Sequence, residues 1–249
     1  MRLESIRRKI KEAASLVFFG GAGTSTESGI PDFRTAGGLY SQPGVRHYTP
    51  EELLSRRMLE QNPELFFEYY RNHLLYPNAK PNRAHVVLSK WEREGRLDTV
   101  ITQNIDGLHQ MAGSQRVLEL HGSVHRNYCT NCDYTAGLDE IMKAFHLVPQ
   151  CPQCGGMLRP DVVLYGEALD SDVMHQAVQA LQRADFLIVG GTSLVVYPAA
   201  GLIDYFQGEN LLLINREATP YDHRAKWVIH DMIGEVLSQL SAEPSSNDH

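Results

Sequence analysis

The chain has 249 residues and a formal net charge of −7. This length is at the upper end for one domain, so we expect one large core with a smaller inserted unit. Lys and Arg are spread along the chain without a dense basic tract, which argues against nucleic acid or an anionic membrane as the leading partner. No apolar run approaches the ~20 residues of a membrane span, and the charged first dozen residues lack a signal cleavage site. We therefore expect a cytoplasmic protein.

The predicted elements alternate between helices and apolar strands. Apolar residues at helical spacing predict an amphipathic helix over residues 3–14, which leads into a buried strand at 16–19. The further predicted strands are 99–101, 117–120, 162–165, 186–189 and 211–214, and the predicted helices between them include 82–94, 171–183 and 199–207. Continuous apolar strands separated by helices are typical of a parallel sheet that is covered on both faces. The predicted fold class is α/β, with a doubly wound parallel sheet.

Two segments interrupt this alternation. Residues 41–79 contain no convincing strand, and two of their stretches begin with Pro before an acidic residue, as helices often do. Residues 122–159 hold all four cysteines and few residues that could form a core. We therefore predict a small domain made of these two insertions, and a large domain made of residues 1–40, 80–121 and 160–249.

The four cysteines form two C-x2-C pairs separated by 18 residues: Cys129, Cys132, Cys151 and Cys154. Two such knuckles let four thiolates surround one zinc, and the following Gly155-Gly156 fits a tight turn. Two disulfides are disfavoured without an export signal, and a redox pair is disfavoured because neither motif opens a βαβ unit. Four sulfur ligands leave no open coordination position, so we expect a structural zinc. A zinc ribbon that binds nucleic acid or protein is the alternative, but it would explain only this segment.

Polar or glycine-rich residues follow the predicted strands, and open α/β sheets bind ligands beyond the carboxyl ends of their strands. The first strand runs into Gly21 and Gly23 of a dinucleotide-type turn, but Thr26 stands where a third glycine is usual. The other strand ends are 102–106, 121–122, 190–193 and 215–217. Each alone could be a turn, a helix cap or a structural histidine. Together they indicate a dinucleotide crevice.

The last of these strand ends bears on the choice of dinucleotide. Asn215 can bind a ribose hydroxyl, the role that an acidic residue has in other dinucleotide folds. Glu217 disfavours an added 2′-phosphate. We therefore expect NAD rather than NADP.

Seven motifs, in order, resemble those of the sirtuins, the NAD-dependent protein deacetylases, and most strongly the undifferentiated bacterial and archaeal members. They are GAGTSTESGIPDFR, TQNIDGLH, ELHGS, the paired cysteine knuckles, RPDVVLYGE, GGTSLVVYPAA and INRE. The resemblance implies an inverted Rossmann-like large domain, with a small domain made of the helical and zinc insertions. It also implies a reaction in which NAD is consumed. The acetyl group of acetyl-lysine passes to ADP-ribose, and nicotinamide and O-acetyl-ADP-ribose are released.

The resemblance assigns roles to individual residues. His121 is implied to be the general base on the ribose hydroxyls, and an imidazole suits proton transfer near neutrality. Asn104, with Gln103, is implied to hold the nicotinamide ribose and its water, while Ile105 and Asp106 form the nicotinamide pocket. The remaining implied cofactor contacts are Gly21, Ala22, Gly23, Thr26, Asp32, Phe33, Arg34, Gly191, Thr192, Ser193, Asn215 and Met232. Phe33 is expected to shield the reactive sugar, and Arg34 is expected to reach the phosphates.

The resemblance also implies the partner, an acetyl-lysine protein or peptide that adds as a strand between two edges. Strand addition uses main-chain hydrogen bonds and tolerates many peptide sequences. The implied contacts are Val162, Val163, Tyr165, Gly166, Glu167 and Val195. Tyr165 stands where Phe is commoner. No specific nucleic acid and no membrane partner is expected.

The acyl preference is predicted from the helical insertion. Sirtuins that prefer succinyl or malonyl groups resemble one another in a Tyr-x-x-Arg pair, and the stretch PELFFEYYRNH places Tyr70 and His73 at its two positions. A mostly neutral His lacks the bidentate charge of Arg, so we predict deacetylation over desuccinylation, unless Arg71 serves in another register.

Three other functions stay open at this stage. The first is mono-ADP-ribosyl transfer to protein, and the second is removal of longer or acidic acyl groups. The third is a zinc-dependent binding protein with an inactive NAD fold. The presence of His121, Asn104 and Asp106 argues against this last alternative.

Overall fold

The structure is a computed structural model that describes residues 2–33, 38 and 47–242. In this part of the chain, six parallel strands form the main sheet in the order β3-β2-β1-β7-β8-β9. They are β1 (Leu16–Gly20), β2 (Leu97–Thr102), β3 (Val117–Glu119), β7 (Phe186–Gly190), β8 (Asn210–Ile214) and β9 (Trp227–Ile229). The strand order reverses beside β1, whose neighbours are β2 and β7. A crevice is expected at such a reversal, beyond the carboxyl ends of the strands.

Both faces of the main sheet are covered by helices. Successive side chains of a strand point to opposite faces. In β1, Leu16 and Phe18 accordingly join a hydrophobic cluster with the first, fifth and last α-helices, while Val17 and Phe19 join a cluster with the helix at 171–183. These helices are α1 (Arg2–Glu12), α5 (Arg83–Arg93), α8 (Ser171–Arg183) and α9 (Ile233–Ser241). Burial on both faces explains the unbroken apolar strands and confirms the predicted fold class.

The segments 50–75 and 122–164, which we call the small unit, share one hydrophobic cluster. The unit contains a three-stranded antiparallel sheet and four helices. The elements are β4 (Gly122–Cys129), β5 (Thr135–Ala136), β6 (Leu158–Val162), α2 (Pro50–Leu53), α3 (Arg56–Gln61), α4 (Pro63–His73) and α7 (Leu138–Lys143). Phe66 and Phe67 from the helical segment are fully buried in the same cluster as Ile141 and Leu158 from the cysteine segment. The two insertions are therefore packed together, while the domain boundaries stay a prediction.

The structure corrects three sequence-based assignments. The predicted strand 162–165 is not part of the main sheet: β6 ends at Val162 and pairs with β4, and Val162 and Leu164 are buried in the small unit. An apolar run does not show which of two cores will bury it. Residues predicted as a helix at 199–207 form a 3-10 helix, Ala199–Tyr205. The strand β9, of three residues, was not among the predicted strands. Of the helices within the described ranges, none is long and apolar enough to cross a membrane.

Candidate active site

The turns that end β1 and β7 contact each other backbone to backbone. The N–H of Gly23 donates to the carbonyl of Gly191 at 2.8 Å, and the N–H of Gly21 donates to that of Gly190 at 3.3 Å. A Cβ on Gly23 would lie 2.7 Å from the Cα of Gly191, which itself has a left-handed φ of +61°. Glycine is thus required where the turns touch. The Thr26 hydroxyl donates to the Gly23 carbonyl at 3.0 Å, so this turn is closed by a side chain where a third glycine is usual.

A buried polar network lies beside these turns. The Ser25 hydroxyl donates to Asp106 Oδ2 at 2.6 Å, and the side-chain amide of Asn104 donates to Ser25 Oγ at 3.0 Å. The other carboxylate oxygen of Asp106 accepts from the Leu108 N–H at 2.9 Å, at the start of α6 (Leu108–Met111). Asp106 therefore binds the first N–H of this helix and also joins the network. Ser25, which is 1% exposed, was missing from the predicted site. Its position inside the glycine turn was the signal that could have indicated it.

His121 follows β3 and is oriented by the backbone. Its Nδ1 lies 2.8 Å from the carbonyl oxygen of Gln103. Because a carbonyl only accepts, Nδ1 carries the hydrogen and Nε2 is the nitrogen that can take up a proton. Burial lowers the pKa of His121 from its ordinary value, although the Gln103 carbonyl opposes this shift. The imidazole is therefore neutral at pH 7 and suited to act as a base.

A single cleft of about 450 Å³ brings most of the predicted site residues together. Gln103 spans it, since its side-chain amide donates to the Thr192 hydroxyl at 3.0 Å. The predicted residues that line the cleft are Gly21, Ala22, Gly23, Thr26, Asp32, Phe33, Gln103, Asn104, Ile105, Asp106, His121, Val162, Val163, Tyr165, Gly166, Glu167, Gly191, Thr192, Ser193, Asn215 and Met232. Val195 is 43% exposed and is not part of the cleft wall, which its neighbour Val196 joins instead. Arg34 lies outside the described residues.

Glu167 is held by an ion pair within the cleft wall. Its two carboxylate oxygens accept from the Arg159 guanidinium at 2.8 and 3.1 Å, and one of them also accepts from the Leu164 N–H at 2.9 Å. Burial acts to raise the pKa of Glu167, but Arg159 and the Leu164 hydrogen bond hold this pKa below its usual value. The Glu167 carboxylate therefore fixes the chain that follows β6. Arg159, its partner, was not among the predicted site residues.

The two residues used to predict acyl preference lie in different surroundings. Tyr70 is fully buried, stacks on Phe66 and has no hydrogen-bond partner for its hydroxyl within the described part of the chain. His73 lines the cleft and stacks on Tyr69, with ring centroids 4.3 Å apart, and burial lowers its pKa. Arg71 is not part of the cleft wall, and it donates to the carbonyl of His146 at 3.3 Å. Of these residues, only His73 is placed to meet a ligand in the cleft.

The four cysteines come together at the end of the small unit. Their sulfur atoms all lie within 4.8 Å of one another, with 3.4 Å between Cys129 and Cys154 and 3.6 Å between Cys132 and Cys151. These distances are too long for disulfides, which need about 2.05 Å. They fit four thiolates around one zinc with Zn–S bonds of about 2.3 Å. None of the four lines the cleft, so the site fits a structural zinc.

Backbone N–H groups support the sulfurs. The N–H groups of Asn131, Gln153 and Gly156 donate to Cys129, Cys151 and Cys154 at 3.3, 3.4 and 3.4 Å. Such donors stabilise the negative thiolate form that zinc requires. Gly155 takes a left-handed φ of +75° in the second knuckle, the tight turn predicted for it.

The fold and the cleft define an α/β protein with a dinucleotide-type site at the strand-order reversal. The model of the Sir2 family matches residues 21–198. Proteins named NAD-dependent protein deacetylase are similar over nearly their full length. The one from Clostridium acetobutylicum is 52% identical, with 96% of this chain and 98% of that protein covered, and the one from Cutibacterium acnes is 54% identical, with 95% and 96% covered.

Solved structures give the same result. A Sir2 complex with deacetylated p53 peptide and 3′-O-acetyl ADP ribose has a TM-score of 0.87 and 36% identity, covering 96% of this chain and 97% of that one. A Sir2 complex with p53 peptide and NAD+ has a TM-score of 0.85 and 37% identity, with the same coverage. This chain belongs to the Sir2 family.

The cysteine geometry predicts one zinc per chain. Metal analysis of the purified protein is expected to give this ratio, and Cys151→Ser is expected to lose the metal because three thiolates no longer close the tetrahedron. A chelator should unfold the small unit, which circular dichroism can follow on heating. Thr130→Ser, between two ligands, is the matched control and should retain zinc. Full folding stability in the zinc-free protein would contradict the structural assignment.

Proposed function

We propose that this chain is an NAD-dependent protein-lysine deacetylase. In this reaction, the acetyl group of acetyl-lysine is transferred to ADP-ribose, with release of nicotinamide and O-acetyl-ADP-ribose. The observation that carries the proposal is the meeting of His121, Asn104 and the paired glycine turns in one cleft of a Sir2-family fold. The names of the relatives support the same activity.

The cleft residues divide between the parts of NAD. The turn at 21–23 lies beside the phosphates, because glycine lets the backbone approach them. Asn215 binds the adenosine ribose, and Gln103 with Asn104 orients the nicotinamide ribose. Asp106 accepts from the carboxamide. The further proposed contacts are Ala22, Thr26, Asp32, Phe33, Arg34, Ile105, Gly191, Thr192, Ser193 and Met232.

When bound, NAD supplies the ribose carbon from which nicotinamide leaves and to which the acyl oxygen is joined. His121 takes the proton from a ribose hydroxyl at Nε2, while its Nδ1–H stays on the Gln103 carbonyl. Phe33 covers the sugar and excludes water from it. Asn104, held by Ser25, keeps the ribose in register.

The acyl-lysine partner binds as an added strand. Gly166 and Val195 are proposed to flank it, with Val162, Val163, Tyr165 and Glu167 forming the wall through which the lysine enters. Tyr165 is 42% exposed and lines the cleft.

We also propose that the protein is cytoplasmic. The proposed large domain consists of residues 1–40, 80–121 and 160–249, and the proposed small domain consists of residues 41–79 and 122–159.

One incubation separates this function from its alternatives. The purified chain is mixed with NAD and an acetyl-lysine peptide, and all products are measured by mass. We expect the deacetylated peptide, nicotinamide and O-acetyl-ADP-ribose in equal amounts. ADP-ribose attached to protein without loss of acetyl would instead support an ADP-ribosyltransferase. An absence of any NAD cleavage, with wild-type zinc content, would support a binding protein.

His121→Ala is expected to lower turnover by about 10²–10⁴-fold, because general base catalysis contributes that range. NAD binding should survive, since the glycine turns and Asp106 are unchanged. Calorimetry measures the binding and peptide deacetylation measures the turnover. His223→Ala, on the exposed surface away from the cleft, is the control and should keep full activity.

The pH profile gives a second measure of the same role. His121 acts when neutral, and burial lowers its pKa. The apparent pKa of the acid limb of the kcat/KM profile should therefore lie below 6.5, the ordinary pKa of histidine. A limb well above pH 7 would argue against His121 as the base.

Acyl preference follows from His73. A neutral imidazole, with its pKa lowered by burial, offers no charge to a succinyl carboxylate. We expect faster turnover of an acetyl-lysine peptide than of its succinyl-lysine equivalent, measured as kcat/KM on the same peptide sequence. His73→Arg should narrow the difference, and faster removal of succinyl by the wild-type chain would refute the prediction.

A further inference from the structure

The strand β4 contacts the nicotinamide pocket through His125, which the proposed chemistry does not use. His125 Nε2 lies 2.9 Å from the carbonyl oxygen of Asp106. A carbonyl oxygen only accepts, so His125 donates from Nε2–H. The preceding residue, Val124, donates its backbone N–H to the carbonyl of Ile105 at 3.0 Å. Two successive peptide groups of the pocket are thus held by one strand.

Gly107 is shaped for this contact. Its φ of +70° lies in the left-handed region, and a Cβ there would lie 2.6 Å from Cδ2 of the His125 ring. The imidazole therefore packs against the turn at a place where only glycine leaves room for it. The N–H donor fixes the position of the turn, and the ring fills the space beside Gly107.

The hydrogen bonds around Asp106 come from three elements. Ser25 in the glycine turn and the N–H of Leu108 in α6 hold its carboxylate, and His125 holds its carbonyl. Without His125, the backbone carbonyl of Asp106 would lose its hydrogen bond to β4. The backbone of the turn would then shift relative to a bound carboxamide, although Ser25 and Leu108 still hold the carboxylate.

We propose that His125 is a positioning residue for the nicotinamide pocket. It sets the orientation of Asp106 and Ile105 through the peptide groups of the turn. This inference rests on the proposed function, in which these two residues receive nicotinamide. The Nε2–H of His125 acts on the pocket that holds the nicotinamide ring. Its loss should therefore weaken binding of NAD and of nicotinamide more than it lowers kcat at saturating NAD.

Three variants separate the donor from the ring. His125→Phe keeps an aromatic ring but has no N–H, while His125→Gln keeps an N–H donor on a side chain of similar reach. His223→Phe makes the same replacement on the surface away from the cleft and is the matched control. For each, calorimetry gives the Kd of NAD, and steady-state kinetics give kcat, KM and inhibition by nicotinamide. Hydrogen exchange reports on the backbone of residues 103–111.

His125→Phe is expected to raise the Kd of NAD and the inhibition constant of nicotinamide by about threefold to tenfold, the effect of one lost hydrogen bond. Its kcat should change less, and exchange at residues 105–108 should speed up. His125→Gln should recover wild-type values to within roughly twofold, because the donor is restored. His223→Phe should match the wild type.

The inference is overturned if His125→Phe leaves NAD and nicotinamide binding unchanged, or if Gln and Phe have equal effects. It is also overturned if only kcat falls. A wild-type chain that binds NAD but removes no acetyl group would defeat the proposed function alone, because the binding measurements on the variants still decide the role of His125. If the wild type binds no NAD, unchanged exchange at residues 105–108 in His125→Phe would overturn the inference.

Discussion

The backbone contact between the glycine turns of β1 and β7 is the constraint on which the site depends. Because the N–H of Gly23 bonds directly to the Gly191 carbonyl, two strands end side by side with no side chain between them. The crevice opens at this place, where the strand order reverses. Gln103 from the end of β2 then reaches Thr192 across the crevice, and its carbonyl orients His121. The close approach of the two glycine turns thus determines where His121 lies.

Asp106 joins the crevice to the small unit. Its carboxylate binds Ser25 beside the glycine turn, and its carbonyl binds His125 in β4. That strand begins next to His121 and ends at Cys129, a predicted zinc ligand. The four cysteines lie outside the cleft, and a zinc bound by them would hold the end of the strand that contacts the pocket.

The sequence predicted the strands that are buried on both faces, because their apolar runs are continuous, and it predicted α8 with its bounds. It failed at 162–165, because an apolar run does not identify the core that buries it. The pairing of Ser25 with Asp106, 81 residues apart, depends on a tertiary contact that no local pattern encodes. Arg159 and Glu167 are the two ends of the motif RPDVVLYGE, but the motif alone did not show that they form an ion pair. The motifs therefore predicted most of the residues that line the cleft, while the hydrogen bonds that orient these residues could be identified only from the structure.

The most direct measurement is an NAD titration of the wild-type chain and of Gly191→Ala by calorimetry. Alanine at 191 has an unfavourable φ and collides with the backbone of the first turn. Gly95→Ala is the control, because its φ of +72° brings equal strain while nothing lies within 4 Å of the added Cβ. We expect Gly191→Ala to bind NAD at least about tenfold more weakly than Gly95→Ala, with wild-type zinc content in both. Equal NAD affinity in the two variants would contradict the account.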